Sequence, residues 1–179
     1  MNPKLSTLNK NDTPARGRPP RALTSPEALL PRLIEATESL VSIGPRLLPC
    51  RVLAYRDALV PGVKGAYVAL LGAWDALHIG ILADDASCIA LARRMSSTGD
   101  LDSVSVRTRI CDIARQLGLA LGQEMGDPHL AHLPELAVSE PIFVDGIAHH
   151  THDACLRAAE VALGGTHATL VVVARRNES

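Results

Sequence analysis

The stretch from Val106 to Met125, VRTRICDIARQLGLALGQEM, constrains the chain more than any other. At about 100° per residue, Ile110, Ile113, Ala114, Leu117, Leu121 and Met125 fall on one side of an α-helix. That is the i, i+3, i+4, i+7 pattern of a helix packed on a core. Such a stripe needs a second layer to cover it. Asp112, Arg115, Gln116 and Gln123 fall on the other side, with Leu119 among them. Asp112 and Gln116 are one turn apart, so their side chains reach the same point in space, and Asp112 and Arg115 are neighbours on that surface too. Taken alone, the face is either a solvated surface with a local Asp–Arg pair or a working surface.

The remainder of the chain bounds the choice. Its 179 residues suit one domain with a tail, and 47% hydrophobic residues suit a real core. Tyr55, Tyr67, Trp74 and Phe143 are its whole aromatic complement. The core is therefore built from Leu, Val, Ile and Ala, and a base-stacking nucleic-acid surface is excluded by want of rings. Residues 1–24 hold five basic side chains against Asp12, a net of +4, whereas residues 25–179 hold thirteen basic and eighteen acidic, a net of −5. The first 24 residues are rich in Pro, Asn, Thr and Arg and have little to bury, so they read as a disordered basic tail. Within them Arg16-Gly17-Arg18-Pro19, followed by Arg21, has the composition of an AT-hook core, which lays Arg side chains into narrow A·T minor grooves. Cys50, Cys88, Cys111 and Cys155 form no CxxC pair, Met1–Arg21 lacks the apolar run of a secretory signal, and no run of apolar residues is long enough to span a membrane. A cytoplasmic protein with free thiols is expected.

Element signals follow in order. Ser25-Pro26-Glu27 starts a helix that Gly44-Pro45 ends, with Leu29, Leu30, Leu33, Ile34, Ala36, Leu40 and Val41 as its apolar side. Pro31 falls near its start. Arg51–Tyr55 has strand character. Ala66–Leu71 and Ala76–Leu82 are short apolar runs with turn residues between them, a hairpin signature. Asp84-Asp85 opens a second helix carrying Ile89, Leu91, Ala92 and Met95, and a polar linker, Leu101–Ser105, precedes the organising helix. Leu136–Val144 is extended, with Pro141 marking an edge. Ala154–Leu163 is helical by propensity, yet Gly164-Gly165 followed by Ala168–Ala174 suggests a closing hairpin.

Metal and nucleophilic chemistry find thin support. His129 and His132, and the cluster His149, His150, His152 and Asp153, sit in polar, loop-like segments where a histidine costs nothing; no metal site is expected. Cys111 points about 100° away from Asp112 and reads as a packing thiol. Neither GxGxxG nor GxxxxGK[ST] occurs, so no phosphate loop is present.

Taken together, the order of signals resembles the CheC/CheX/FliY family of chemotaxis phosphatases, most of all its single-copy CheX-like domain. The residues that carry the likeness run from Tyr67 to Gly146. The family's hairpin is similar to YVALLGAWDALHIGIL, and its helix with leading acids to Asp84-Asp85-Ala86 through Met95. Its central helix is similar to Val106–Met125, and its Pro-to-Gly segment to Pro141-Ile-Phe-Val-Asp-Gly146. The resemblance implies an α+β domain over residues 25–179, a mainly antiparallel sheet with two long helices, 26–43 and 106–125, packed on it. It implies strands over 154–163, and a homodimer.

It also implies a site. The family's signature on the central helix is E-x-x-N: the acid contacts the response regulator, and the Asn positions the water that attacks the regulator's aspartyl phosphate. Asp112 matches the acid, shortened by a methylene, and Arg115 matches the Asn. Arg carries five donors and no acceptor, so it does not do the Asn's work on water. Gln116, one residue on, gives Asp112-x-x-x-Gln116, which resembles the arrangement of CheZ-type phosphatases. The implied function is engagement of a phosphorylated receiver domain through Asp112, Arg115 and Gln116, with Leu119 and Gln123 as partner-binding residues and phosphatase activity weakened or absent. No cofactor of its own is implied; Mg²⁺ belongs to the receiver. A non-catalytic dimeric interaction module using the same face is the alternative, as is a DNA-linked regulator acting through Arg16, Arg18 and Arg21.

Overall fold

The structure, a computed structural model, describes residues 25–43, 50–59, 62–71, 77–95, 101–125, 137–145 and 154–175; side chains at 39–43, 123–125 and 175 are not described. The expected tail, the hairpin turn at Gly72–Asp75, the stops at Gly44-Pro45 and Gly126–Pro128, and all the histidines weighed for metal binding lie outside these residues.

Ser25 caps helix α1 (Pro26–Ile43): its Oγ accepts from the Ala28 amide at 3.3 Å, the capping bond a helix start requires. The helix runs through Pro31. Leu29, Leu30, Leu33, Ile34 and Ala36 are buried as the spacing predicts. Thr37, also buried, donates its hydroxyl to the Leu33 carbonyl at 2.7 Å, so that hydroxyl is not stranded.

A seven-stranded antiparallel sheet follows, made of β1 (Cys50–Arg56), β2 (Lys64–Leu71), β3 (Leu77–Ala83), β4 (Ala137–Val138), β5 (Ile142–Asp145), β6 (Ala154–Leu163) and β7 (Thr166–Arg175). Its order is β1-β6-β7-β3-β2-β4, and β5 pairs with β2 beside β4. The β2–β3 hairpin stands as expected, with Tyr67 opposite Gly80. The Tyr67 ring fills the space a Gly80 side chain would take, since a Cβ there would fall 2.6 Å from the ring.

Residues 154–163 settle the conflict between propensity and resemblance in favour of a strand. Gly164 and Gly165 both hold positive φ, 55° and 84°, so they form the two-residue turn that the twist of a hairpin favours. The β6–β7 ladder then runs from Leu163–Thr166 to Ala154–Arg175. Ala158, Ala159 and Val161 are fully buried; a lone helix would have left one flank of this small-residue run without a partner.

Two further helices lie on one face of the sheet. Asp84 caps α2 (Asp85–Met95), accepting from the Ser87 amide at 2.7 Å. The organising helix α3 starts three residues earlier than its apolar pattern indicated, at Ser103, and ends at Met125. Asp102 is the cause: its carboxylate accepts from the Ser105 amide at 2.7 Å and its carbonyl from the Val106 amide at 3.0 Å. The supposed polar linker is thus a cap and a first turn. Ile110, Ala114, Leu117 and Leu121 of α3 join Leu29 and Leu33 of α1, Leu91 of α2 and Val68, Ile79, Ile81, Val161, Leu170 and Val172 of the sheet in one core. A smaller cluster of Tyr67, Leu82, Leu156, Val171 and Val173 occupies the other face. The fold is α+β as expected: among the described residues the two long helices, α1 and α3, and the shorter α2 that Asp84-Asp85 announced pack on an antiparallel sheet.

Candidate functional site

The polar side of α3 faces solvent. Arg115 and Gln116 are exposed, Leu119 is 48% exposed and Asp112 keeps 47% of its side chain in solvent. Leu117 and Leu121 are buried opposite them, while Ile113 is only partly so and packs at the core's rim. Thr108, Asp112, Arg115 and Leu119 succeed one another at i, i+4, i+7 and i+11, which places them in one solvent stripe. The Gln123 side chain lies outside the described residues, as do Arg16, Arg18 and Arg21.

The ion pairs differ from the simple Asp112–Arg115 pair that spacing suggested. Asp112 Oδ2 meets Arg109 Nη1 at 3.5 Å, three residues back along the helix. Arg115 turns instead to Glu140, with Nη2 and Oε1 3.9 Å apart. Glu140 belongs to the segment between β4 and β5, and Ser139 fixes it. The Ser139 amide donates to the Ala69 carbonyl at 2.9 Å, its Oγ accepts from the Ala69 amide at 2.9 Å, and its hydroxyl donates to the Glu140 carbonyl at 3.0 Å. Gly118 brings the helix close to this segment: a Cβ there would stand 2.9 Å from both Val138 and Val68 side chains.

A second set of contacts holds the N-terminal half of α3 to β5. The Arg107 guanidinium lies 5.0 Å from the Phe143 ring centroid and 4.0 Å from Asp145. Lys64 Nζ bridges Asp85 at 2.8 Å and Asp145 at 3.4 Å, which ties β2, α2 and β5 together. These residues position the edge from which Glu140 projects. Sequence reading passed over Arg109 and Glu140. The first was legible as an i, i+3 partner; the second needed the β2–β5 pairing.

What the face can do follows from its groups. Asp112 accepts hydrogen bonds, Arg115 and Arg109 only donate, and Gln116 does both. Burial pushes the Cys111 thiol above its ordinary pKa, and neighbouring Asp112 adds to this, so the thiol stays protonated and unreactive. Among the described residues no cluster of three or more His, Cys, Asp or Glu can hold a metal ion, and no helix is long and apolar enough to cross a membrane.

No family model matches the chain, and no curated protein sequence does. Solved structures do. The chemotaxis protein CheX from Desulfovibrio desulfuricans aligns with a TM-score of 0.64 at 13% identity, over 80% of this chain and 97% of that one. The CheX of a CheX–CheY–BeF₃–Mg²⁺ complex from Borrelia burgdorferi gives 0.62 at 13% identity, over 83% and 98%. FliY from Thermotoga maritima gives 0.54 at 13% identity, over 86% and 92%. This chain has the fold of the CheC/CheX/FliY chemotaxis proteins.

Proposed function

We propose that this domain engages the receiver domain of a phosphorylated response regulator through the exposed face of α3. The observation that carries the reading is the co-presentation of Asp112, Arg115, Gln116 and Leu119 on the solvent side of the helix that matches the family's signature helix. A CheX of the same fold has been solved with CheY. Asp112 docks as the acid. Leu119 supplies an apolar contact among polar groups, in keeping with the apolar centre and polar rim of a protein interface. The domain contributes no metal; Mg²⁺ comes with the receiver.

Hydrolysis by the family's own route is not available to it. That route needs a side-chain acceptor to orient water, and Arg115 stands where the family keeps an Asn. The domain is therefore a binder first. Whatever acceleration of dephosphorylation it gives runs through Gln116, one turn from Asp112.

We further infer that the domain pairs with a second copy of itself. β1 closes one edge of the sheet and exposes Tyr55 at 66% and Leu53 at 36%; β4 and β5 close the other, where Ile142 is 67% exposed. Such edges offer unpaired backbone groups to another chain. Sedimentation equilibrium at micromolar concentration is expected to show a dimer; a monomer throughout would remove this part.

The experiment is receiver dephosphorylation beside a binding measurement, with the wild type and four variants. Asp112→Ala and Leu119→Ala are expected to weaken binding. Gln116→Ala is expected to abolish any acceleration, by about 10²–10³-fold, as when one preorganised polar group is lost from a site. Arg115→Asn is expected to raise dephosphorylation, since it returns an acceptor to the helix. Absent binding and absent acceleration across the source organism's receivers would return this surface to a solvated face.

A further inference from the structure

We propose that the α3 face is a phosphoryl clamp whose affinity follows the phosphorylation state of its receiver, with Arg115 as the residue that reads it and Glu140 as its built-in competitor. The inference rests on the docking proposed above and adds what is recognised there. Asp112 lies between two guanidinium groups on one helix, Arg109 at 3.5 Å on one side and Arg115 three residues ahead on the other. Both are about half in solvent, 45% and 55% exposed. One carboxylate against two guanidinium groups leaves this turn of α3 with a local excess of positive charge. Glu140, from a different element, offsets it at 3.9 Å while being itself 85% exposed.

An ion pair so open to water is worth little. A phosphoryl group brings more negative charge than a carboxylate and three terminal oxygens, and guanidinium holds two of them side by side. It therefore displaces Glu140 from Arg115. An unphosphorylated receiver presents carboxylates alone, which compete with Glu140 on equal terms. Because the Arg donates and does not accept, it neutralises the bound group without orienting water against it. The clamp thus holds the phosphorylated receiver where the family's Asn would discharge it. Ser139 and Gly118 keep the competitor in place, the first by pinning the Glu140 segment to Ala69, the second by letting α3 lie against Val138.

The test is titration of receiver domains from the source organism into the full chain, each receiver unloaded or loaded with beryllofluoride and Mg²⁺. Loaded receiver is expected to bind at least about tenfold more tightly, the scale of a charge-assisted hydrogen-bonded contact. Arg115→Ala should erase that ratio, so that loaded receiver binds no more tightly than unloaded. Arg115→Lys should keep part of it, as a point charge without the fork. Glu140→Gln should tighten loaded binding by up to about fivefold, the ceiling for an exposed pair, because Arg115 then has no competitor to shed. Equal affinity for loaded and unloaded receiver, or a ratio that Arg115→Ala does not change, overturns the clamp while docking stands. Absence of binding in both states by every receiver overturns the docking reading and the clamp with it.

Discussion

On the proposed docking face a single exposed side chain, Arg115, has donors to hold an anion and no acceptor to orient water. Its exposure, and that of Asp112, Gln116 and Leu119, was legible from helical spacing alone, since an amphipathic helix on a core leaves its polar side to solvent. Its partner was not. Glu140 is 25 positions away and comes alongside because β4, Ser139 and β5 are all bound to β2. Ile113 was expected in the core and lies at its rim, where the apolar stripe is wider than the surface available to cover it. At this scale the core residues are the most predictable. Leu117, 1% exposed and packed among α3, α1 and sheet side chains, is expected to lose about 2–5 kcal/mol of stability on substitution by alanine, from lost burial plus the cavity left behind. Urea unfolding checks it; a change below the range of surface substitutions would mean that the helix does not seat on the core as described.

Elements were read best where local chemistry and tertiary need agree. The Ser25 and Asp84 caps agree with the apolar stripes behind them. The α3 start did not, because the apolar residue ahead of Val106, Val104, is 67% exposed and lies off the buried stripe; Asp102 marks the start by hydrogen bonding. The Ser105 amide and hydroxyl hold the Asp102 carboxyl below the usual carboxylate range, and the Ser87 amide does the same for Asp84. A group whose folded pKa is depressed stabilises the fold above its unfolded pKa, and that contribution is lost as pH falls through the folded value. The thermal midpoint of Asp102→Ala should therefore lie below that of the wild type above about pH 5, with the gap narrowing as pH falls below about 4. An unchanging gap across that window would show that the capping carboxylate is not the cause. Gly118 belongs to this scale as well. It reads as a defect in a helix, at about 1 kcal/mol against alanine, yet it allows α3 to approach β2 and β4. Gly118→Leu is expected to destabilise by about 1–3 kcal/mol through overpacking and to disturb the Glu140 segment; equal stability in urea would remove that role.

On the scale of the whole molecule, the antiparallel sheet and its helical layer were legible from the order of signals, and residues 154–163 show why order outweighs propensity. Ala, Leu and Glu favour a helix in isolation, but the Gly164-Gly165 turn and the waiting edges of β1 and β7 pair the run on both of its backbone edges as a strand. The basic tail and the histidine clusters lie outside the described residues, and the fold assigns them nothing. The central claim is that one face of this molecule, the solvent side of α3 with the β4–β5 edge beside it, is where a receiver docks. Amide chemical-shift mapping on the ¹⁵N-labelled domain tests it most directly. Titration with a beryllofluoride-loaded receiver should move the amides of Thr108, Asp112, Arg115, Gln116, Leu119 and Glu140 and leave those of β1, β6 and β7 where they are. Shifts centred on β1, β6 or β7, with α3 unmoved at saturating receiver, would contradict it.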